Sequence, residues 1–168
     1  MKLGTRTRYS ARVMLHLALN AYKTVSVREL SALTFVSPKY LEQMLSALRA
    51  AGLVRSIRGA RGGYRLARHA GLITLRNIYE VFEGTAGFVD CTSSPELCSQ
   101  ADSCITRDVW DQLYNSFSET LGAITIQELV SRAKEPSGPT TPVETSFDPV
   151  RDSSASGSTL SQGARSTE

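Results

Sequence analysis

Three cysteines fall within fourteen residues of one another, Cys91, Cys98 and Cys104, in the pattern C-x6-C-x5-C. Thiolates are soft ligands, suited to iron–sulfur clusters, zinc or copper(I). The C-x2-C pair of the common zinc knuckle is missing. Wide spacing on a loop can wrap a cluster, whereas a single zinc ion calls for tighter turns. An odd cysteine count argues against a disulfide framework and toward metal or redox chemistry in a reducing compartment. The bland reading is three free thiols, one or two of them buried.

A second set of residues suits nucleic acid. Ser37, Pro38, Lys39, Tyr40, Glu42, Gln43 and Arg49 share one short stretch. On a helix laid in the major groove, Gln43 could pair with adenine and Lys39 could reach guanine or phosphate. Glu42 could accept from a cytosine amine; elsewhere it would repel phosphate. Tyr40 could stack, touch phosphate or simply pack. Arg58, Gly59 and Arg61 follow on a glycine-rich tip, which suits the negative potential of a narrow minor groove. Lys2, Arg6, Arg8, Arg28 and Arg55 read as phosphate contacts, which position without specifying.

The elements that must carry these residues are legible. Ser37 is the expected N-cap and Pro38 the first helical residue. Leu41, Met44, Leu45 and Leu48 recur at i, i+3, i+4 and i+7, one buried face, and Gly52 ends the helix. Two short β-like runs, 53–57 and 64–66, flank the Arg58–Gly63 tip. Upstream, Ser26-Val27-Arg28-Glu29 is a capping box that opens a short helix over 27–33, and Thr34-Phe35-Val36 turns into the Ser37 helix. Two helices joined so tightly make a helix-turn-helix at 27–50, with a wing at 53–67.

Around this unit, residues 8–22 form a helix with Ala11, Met14, Leu15, Ala18, Leu19 and Tyr22 in one apolar stripe; His16 within it is structural. Residues 74–83 form another, with Leu75, Ile78, Val81 and Phe82 inward. The cysteines occupy a loop at 85–104. A long helix over 105–121 repeats Ile105, Val109, Leu113, Phe117 and Leu121, with Trp110 and Tyr114 in a second row. So wide an apolar band should pack partly on the core and partly on a second copy. Thr125-Ile126-Gln127-Glu128 is a second capping box, opening a last helix to about 133. From 135 to 168 the Pro, Ser, Thr and Gly content leaves too few large apolar residues to offset ordering entropy, and a disordered tail is expected.

Charge is uneven. Residues 1–76 hold fourteen Lys/Arg and two acids, net +12, while residues 77–134 net −6 and residues 135–168 net −3. A basic first half is the footprint of a polyanion binder. No apolar run approaches transmembrane length, and the N-terminus lacks an apolar signal core, so a cytoplasmic protein is expected. The fold class is therefore mainly α: a winged helix-turn-helix with a small hairpin wing and a long C-terminal dimerisation helix, in one domain over 1–132.

With these residues in order, the chain closely resembles the IscR/NsrR-type winged-helix regulators, bacterial transcription factors that carry iron–sulfur clusters. The resemblance runs from Met1 to about Arg132. It is carried by MKLGTRTRYSARVML, by SPKYLEQMLSALRAAGLVRSIRGARGGYRLA, by the three cysteines, by CITRDVW and by ITIQELV. It implies a homodimer crossed by the long helix, and a 2Fe–2S or 4Fe–4S cluster held by Cys91, Cys98 and Cys104. It also implies binding to double-stranded promoter DNA, chiefly as a repressor, that follows iron, oxidants or nitric oxide. The family's recognition-helix glutamate and glutamine fall on Glu42 and Gln43, and its wing Arg-Gly on Arg58-Gly59. Two ligand positions differ. The histidine of the IscR branch is replaced by Arg107, and the N-terminal aspartate of the NsrR branch by Arg8. Asp90, Asp102, Asp108, a residue of the other subunit or water are the candidates for a fourth ligand. The alternative function is a regulator of the same kind that works without a cluster, through a small ligand or direct thiol oxidation. A thiol enzyme or zinc module ranks far lower, because no His or Asp is placed to activate a nucleophile.

Overall fold

The computed structural model describes residues 3–59 and 61–135. The tail expected to be disordered therefore lies, from residue 136, outside the described residues, as do Lys2 and Ala60. Helix α1 spans Thr5–Leu19, α2 Val27–Thr34 and α3 Pro38–Ala50. Strands β1, Val54–Ile57, and β2, Gly63–Leu66, pair antiparallel. A 3-10 turn, Ala70–Leu72, leads to α4, Leu75–Glu83. After the single turn α5, Asp90–Ser93, and two more 3-10 turns come α6, Ile105–Ala123, and α7, Ile126–Lys134. None of these helices is long and apolar enough to cross a membrane.

Each element buries the face its spacing dictates. Val13, Met14 and Leu17 of α1 meet Leu30 of α2 and the Leu41–Met44–Leu45–Leu48 face of α3 in one core. Ile78 of α4 and Ile126 of α7 close it, both fully buried. The start of α7 is stitched to the start of α4: Ile126 N–H donates to Ile73 O at 2.8 Å and Leu75 N–H to Ile124 O at 3.0 Å.

Three local expectations need correction, and the α6 band is covered in part only, as its width led us to expect. Helix α1 ends at Leu19 because the Asn20 side chain turns back to donate to His16 O at 2.9 Å, so Tyr22 lies past the helix and is 80 % exposed rather than part of its stripe. Ser37 holds the N-cap position but makes no side-chain cap bond. The start is set instead by Pro38, whose missing N–H removes one of the donors a cap would satisfy. At α7 only half of the box forms: Thr125 accepts from Glu128 N–H, while the Glu128 carboxylate faces Arg132 at 2.5 Å. In α6, Phe117 and Leu121 are half-buried, but Ile105, Val109, Trp110 and Leu113 are exposed, so the long apolar row is split by burial. The box opening α2 is complete, with Ser26 and Glu29 each accepting the other's backbone N–H. A further box, Thr74 with Asn77, opens α4. Its Asn at the third position hid it from a search for Glu or Gln. His16 is held below its ordinary pKa by burial and then by Arg12, as suits a structural residue.

The turn between α2 and α3 carries an unusual residue. Phe35 has φ 57° and is 92 % exposed, the sole non-glycine residue in the left-handed region among those described. A side chain there costs roughly 1–2 kcal/mol, and so exposed a ring returns little by burial. Phe35→Gly should raise stability by up to about 1 kcal/mol in urea denaturation, less than the full relief because glycine adds chain entropy.

Glu29 offers a second check. Its carboxyl is lowered to about 2, first by the Ser26 backbone N–H, then by the Ser26 hydroxyl and Lys23. Because the folded pKa is depressed, the contribution is present above the unfolded value near 4.5 and fades as pH falls toward about 2. The group is exposed, so water screens it and the effect should stay below about 1 kcal/mol. The stability gap between wild type and Glu29→Gln should be flat above about pH 5 and close across that acid window.

Candidate nucleic-acid interface and cysteine loop

Helix α3 is inserted by its apolar side, with Leu41, Met44, Leu45 and Leu48 each 0–1 % exposed. A helix held so firmly on one side must present the other. Ser37, Pro38, Lys39, Glu42, Gln43 and Arg49 are all exposed, as is Arg28 on α2. Tyr40 is half-buried and meets the Tyr9 ring edge-on at 6.4 Å, which makes packing its main role. Arg12 stands over that same Tyr9 ring and donates to Thr34 O at 3.2 Å, tying α1 to the end of α2. Arg6 of α1 shares a surface groove with Gln43, which brings a first-helix cation beside the reading face.

The wing is fastened at its root. Val25, just before α2, pairs with Tyr64 of β2 through two backbone bonds of 3.0 and 2.8 Å. Thr24 Oγ1 donates to Arg61 O at 2.7 Å. Sequence reasoning missed both contacts. The tip Arg58-Gly59 and Arg61 are exposed. Gly62 folds the tip back by donating to Gly59 O at 2.8 Å, and a Cβ there would lie 2.5 Å from Ile57 O. The Gly62-Gly63 doublet was the signal for this close approach: at Gly63 a Cβ would lie 2.5 Å from Val25 O, at the pairing that anchors the wing.

The cysteines sit on three consecutive pieces of one loop. Cys91 lies in α5, Cys98 follows the 3-10 turn Pro95–Leu97, and Cys104 is the N-cap of α6. All three are free thiols and half-buried. The Thr106 hydroxyl, 3.2 Å from Cys104 Sγ, and then the Arg107 N–H pull that thiol below its usual range. Arg107 itself donates to Ala101 O at 3.3 Å. An aromatic cluster pins the loop's beginning to α6: Phe88 meets Tyr114 at 5.3 Å and Phe117 at 5.5 Å, Tyr79 meets Phe117 at 5.2 Å, and Tyr114 donates to Thr85 O. As a donor set, three reduced thiols with one biased to thiolate fit a soft metal or an iron–sulfur cluster. Among the described residues, no three His, Cys, Asp or Glu side chains are gathered closely enough to hold a metal ion. Asp90, Asp102 and Asp108 are exposed and join no such group.

Residues 3–132 match the family described as Rrf2, iron-dependent transcriptional regulator. The chain belongs to the Rrf2 family. Among its relatives, the HTH-type transcriptional regulator IscR of Xenorhabdus nematophila is 35% identical over 131 residues, covering 77% of this chain and 79% of that one. Two solved structures share the fold. CymR, described as the global cysteine regulator of B. subtilis, is 34% identical with a TM-score of 0.66, covering 79% of this chain and 98% of that one. The IscR of T. potens is 32% identical with a TM-score of 0.65, covering 82% and 94%. The mainly helical winged fold expected from the sequence is thus the family's fold. The relatives are transcriptional regulators, not enzymes, and this Rrf2 chain is a transcriptional regulator too.

The geometry makes Arg58 the wing residue to test. Arg58→Ala should cost about 1–3 kcal/mol of promoter binding, and preferentially on the cognate sequence, if it reads a groove. An equal loss on all duplexes in electrophoretic mobility shifts would mark it as a phosphate contact instead.

Proposed function

We propose that this regulator grips duplex promoter DNA as a homodimer, and that an iron–sulfur cluster on Cys91, Cys98 and Cys104 sets that grip. In this reading α3 enters the major groove, with Lys39, Glu42, Gln43 and Arg49 facing the bases and flanking phosphates. Ser37 and Pro38 lead the helix in, Tyr40 steadies it through Tyr9, and Arg28 contacts phosphate. Arg58, Gly59 and Arg61 reach the adjacent minor groove.

The observation that carries the cluster reading is where the loop ends. Cys104 holds the N-cap position of α6, and that helix exposes Ile105, Val109, Trp110 and Leu113, Ile105 at 84 % and the other three at 42–49 %. A second α6 is the natural cover for this row. A group held by the three thiols would then sit at the root of the pairing helix and adjust the spacing of two reading heads. The cluster, when bound, supplies an inorganic core that responds to iron supply, oxidants or nitric oxide. The chain's own part is to furnish three thiol ligands, and the Thr106 hydroxyl and the Arg107 N–H lower the pKa of the Cys104 thiol.

A second reading has an observation behind it. The thiols are not drawn together among the described residues, and one structural relative is described as a cysteine regulator. The same fold would then act without a cluster, through a small ligand or direct thiol oxidation.

Anaerobic purification with iron and sulfide analysis separates the two. The expected result is brown protein with visible absorption, lost in Cys98→Ala. Colourless protein after reconstitution, with promoter binding and response intact in the triple Cys→Ser variant, would sink the cluster reading. For the pairing surface, Leu113→Asp should shift the protein to monomer in sedimentation velocity and weaken operator binding. A dimer unchanged by it would place the interface elsewhere.

A further inference from the structure

A strongly basic hollow lies apart from the reading face. A cavity of about 310 Å³ opens between α1, the wing strands and the start of α7, with Arg55, Leu66, Arg65, Arg68, His69 and Gln127 on its wall. Arg55 and Arg65 are direct partners across β1 and β2, so both side chains rise on one face. Like charges so placed destabilise a sheet unless something opposes them. Among the described residues, no Asp or Glu lines the wall. The ion pairs of the described residues join Lys23 to Glu29, Arg76 to Glu80 and Arg132 to Glu128, which leaves all three arginines without a carboxylate. Arg65 is held in place by donating to the Ala21 carbonyl. His69 Nδ1 accepts the Gly71 N–H at 3.1 Å, which leaves Nε2 as the ring's donor. The side chains with polar groups on this wall are therefore donors, with Gln127 able to do either.

We propose that this hollow binds a small, multiply charged anion bearing phosphate groups. Guanidinium forks match phosphate oxygens two at a time, and three arginines line this wall, none of them ion-paired among the described residues; Arg68 also borders a neighbouring groove that holds Glu80. The volume lies at the small end of ligand pockets, enough for a compact anion. The wall draws on β1, β2, α1 and α7, so an occupant would brace the wing against the helices behind it. A backbone phosphate of DNA offers the same chemistry. Arg55, read from the sequence as a phosphate contact, belongs to the wall, so the test below carries a DNA arm; the concave wall favours a free ligand, because none of the α3 face, Arg28 or the Arg58–Arg61 tip contributes to it. This inference stands apart from the promoter-binding reading, and its first measurement uses no DNA.

The test is calorimetric titration of the full chain with inorganic pyrophosphate at constant ionic strength, for wild type and Arg55→Gln/Arg68→Gln. Both arginines are exposed, so the variant should melt as wild type does. The expected result is saturable one-to-one binding, weakened about tenfold or more per arginine removed. Arg55→Lys/Arg68→Lys, which keeps the charge and loses the fork, should recover only part of it. In a second arm, the salt dependence of promoter binding is compared for the same proteins. An unchanged slope beside lost pyrophosphate binding supports a free ligand. A slope reduced by about two, with no saturable pyrophosphate binding, supports DNA backbone phosphates as the source of the same anion. Equal pyrophosphate binding by wild type and glutamine variant, or no effect in either arm, overturns the proposal.

Discussion

The structure depends on the burial of one side of α3. Leu41, Met44, Leu45 and Leu48 are withdrawn from water almost completely, and each contributes roughly 1.5–3 kcal/mol by leaving it. That sum is large against the few kcal/mol by which a domain is stable. The helix therefore cannot roll about its axis, and its polar side is committed to face outward whether or not DNA is present. Glu42 beside Lys39 and Gln43 stays in solvent at little cost.

The wing is secured by a different interaction. Two strands of four residues would be marginal alone. Here Val25 adds backbone bonds to Tyr64, and the Thr24 hydroxyl takes hold of Arg61 O. Both anchors precede α2, so wing and helix-turn-helix share a hinge point in the chain. The basic surplus lies on α1, the helix-turn-helix and the wing, while the acidic surplus of residues 77–134 lies on α4, the cysteine loop and the helices after it. Such a division keeps one end attractive to polyanions and the other repellent.

Helix α6 packs on α4 and α5. Its inner side is held by Tyr79, Phe88, Tyr114 and Phe117, an aromatic group that also fixes where the cysteine loop departs. Elsewhere on the helix Ile105, Val109, Trp110 and Leu113 remain exposed.

Much of this was legible in the residues. The i, i+3, i+4, i+7 pattern of α3, the Ser26–Glu29 box and the glycine-flanked wing are local signals, each spelled within a few neighbours, and they determined the helix-turn-helix, the wing and which face of α3 is exposed. The limits of α1, the half-made cap at Thr125 and the uncapped Ser37 were not legible, because each turned on which partner a short side chain reached first. Three matters rested wholly on tertiary packing: the split of the α6 band into a covered and a bare side, the gathering of Arg55, Arg65 and Arg68 around one hollow, and the spread of the cysteines along their loop. The physical reason is common to all three. Spacing along a chain says which side chains share a face, but only the approach of distant segments decides what, if anything, that face meets.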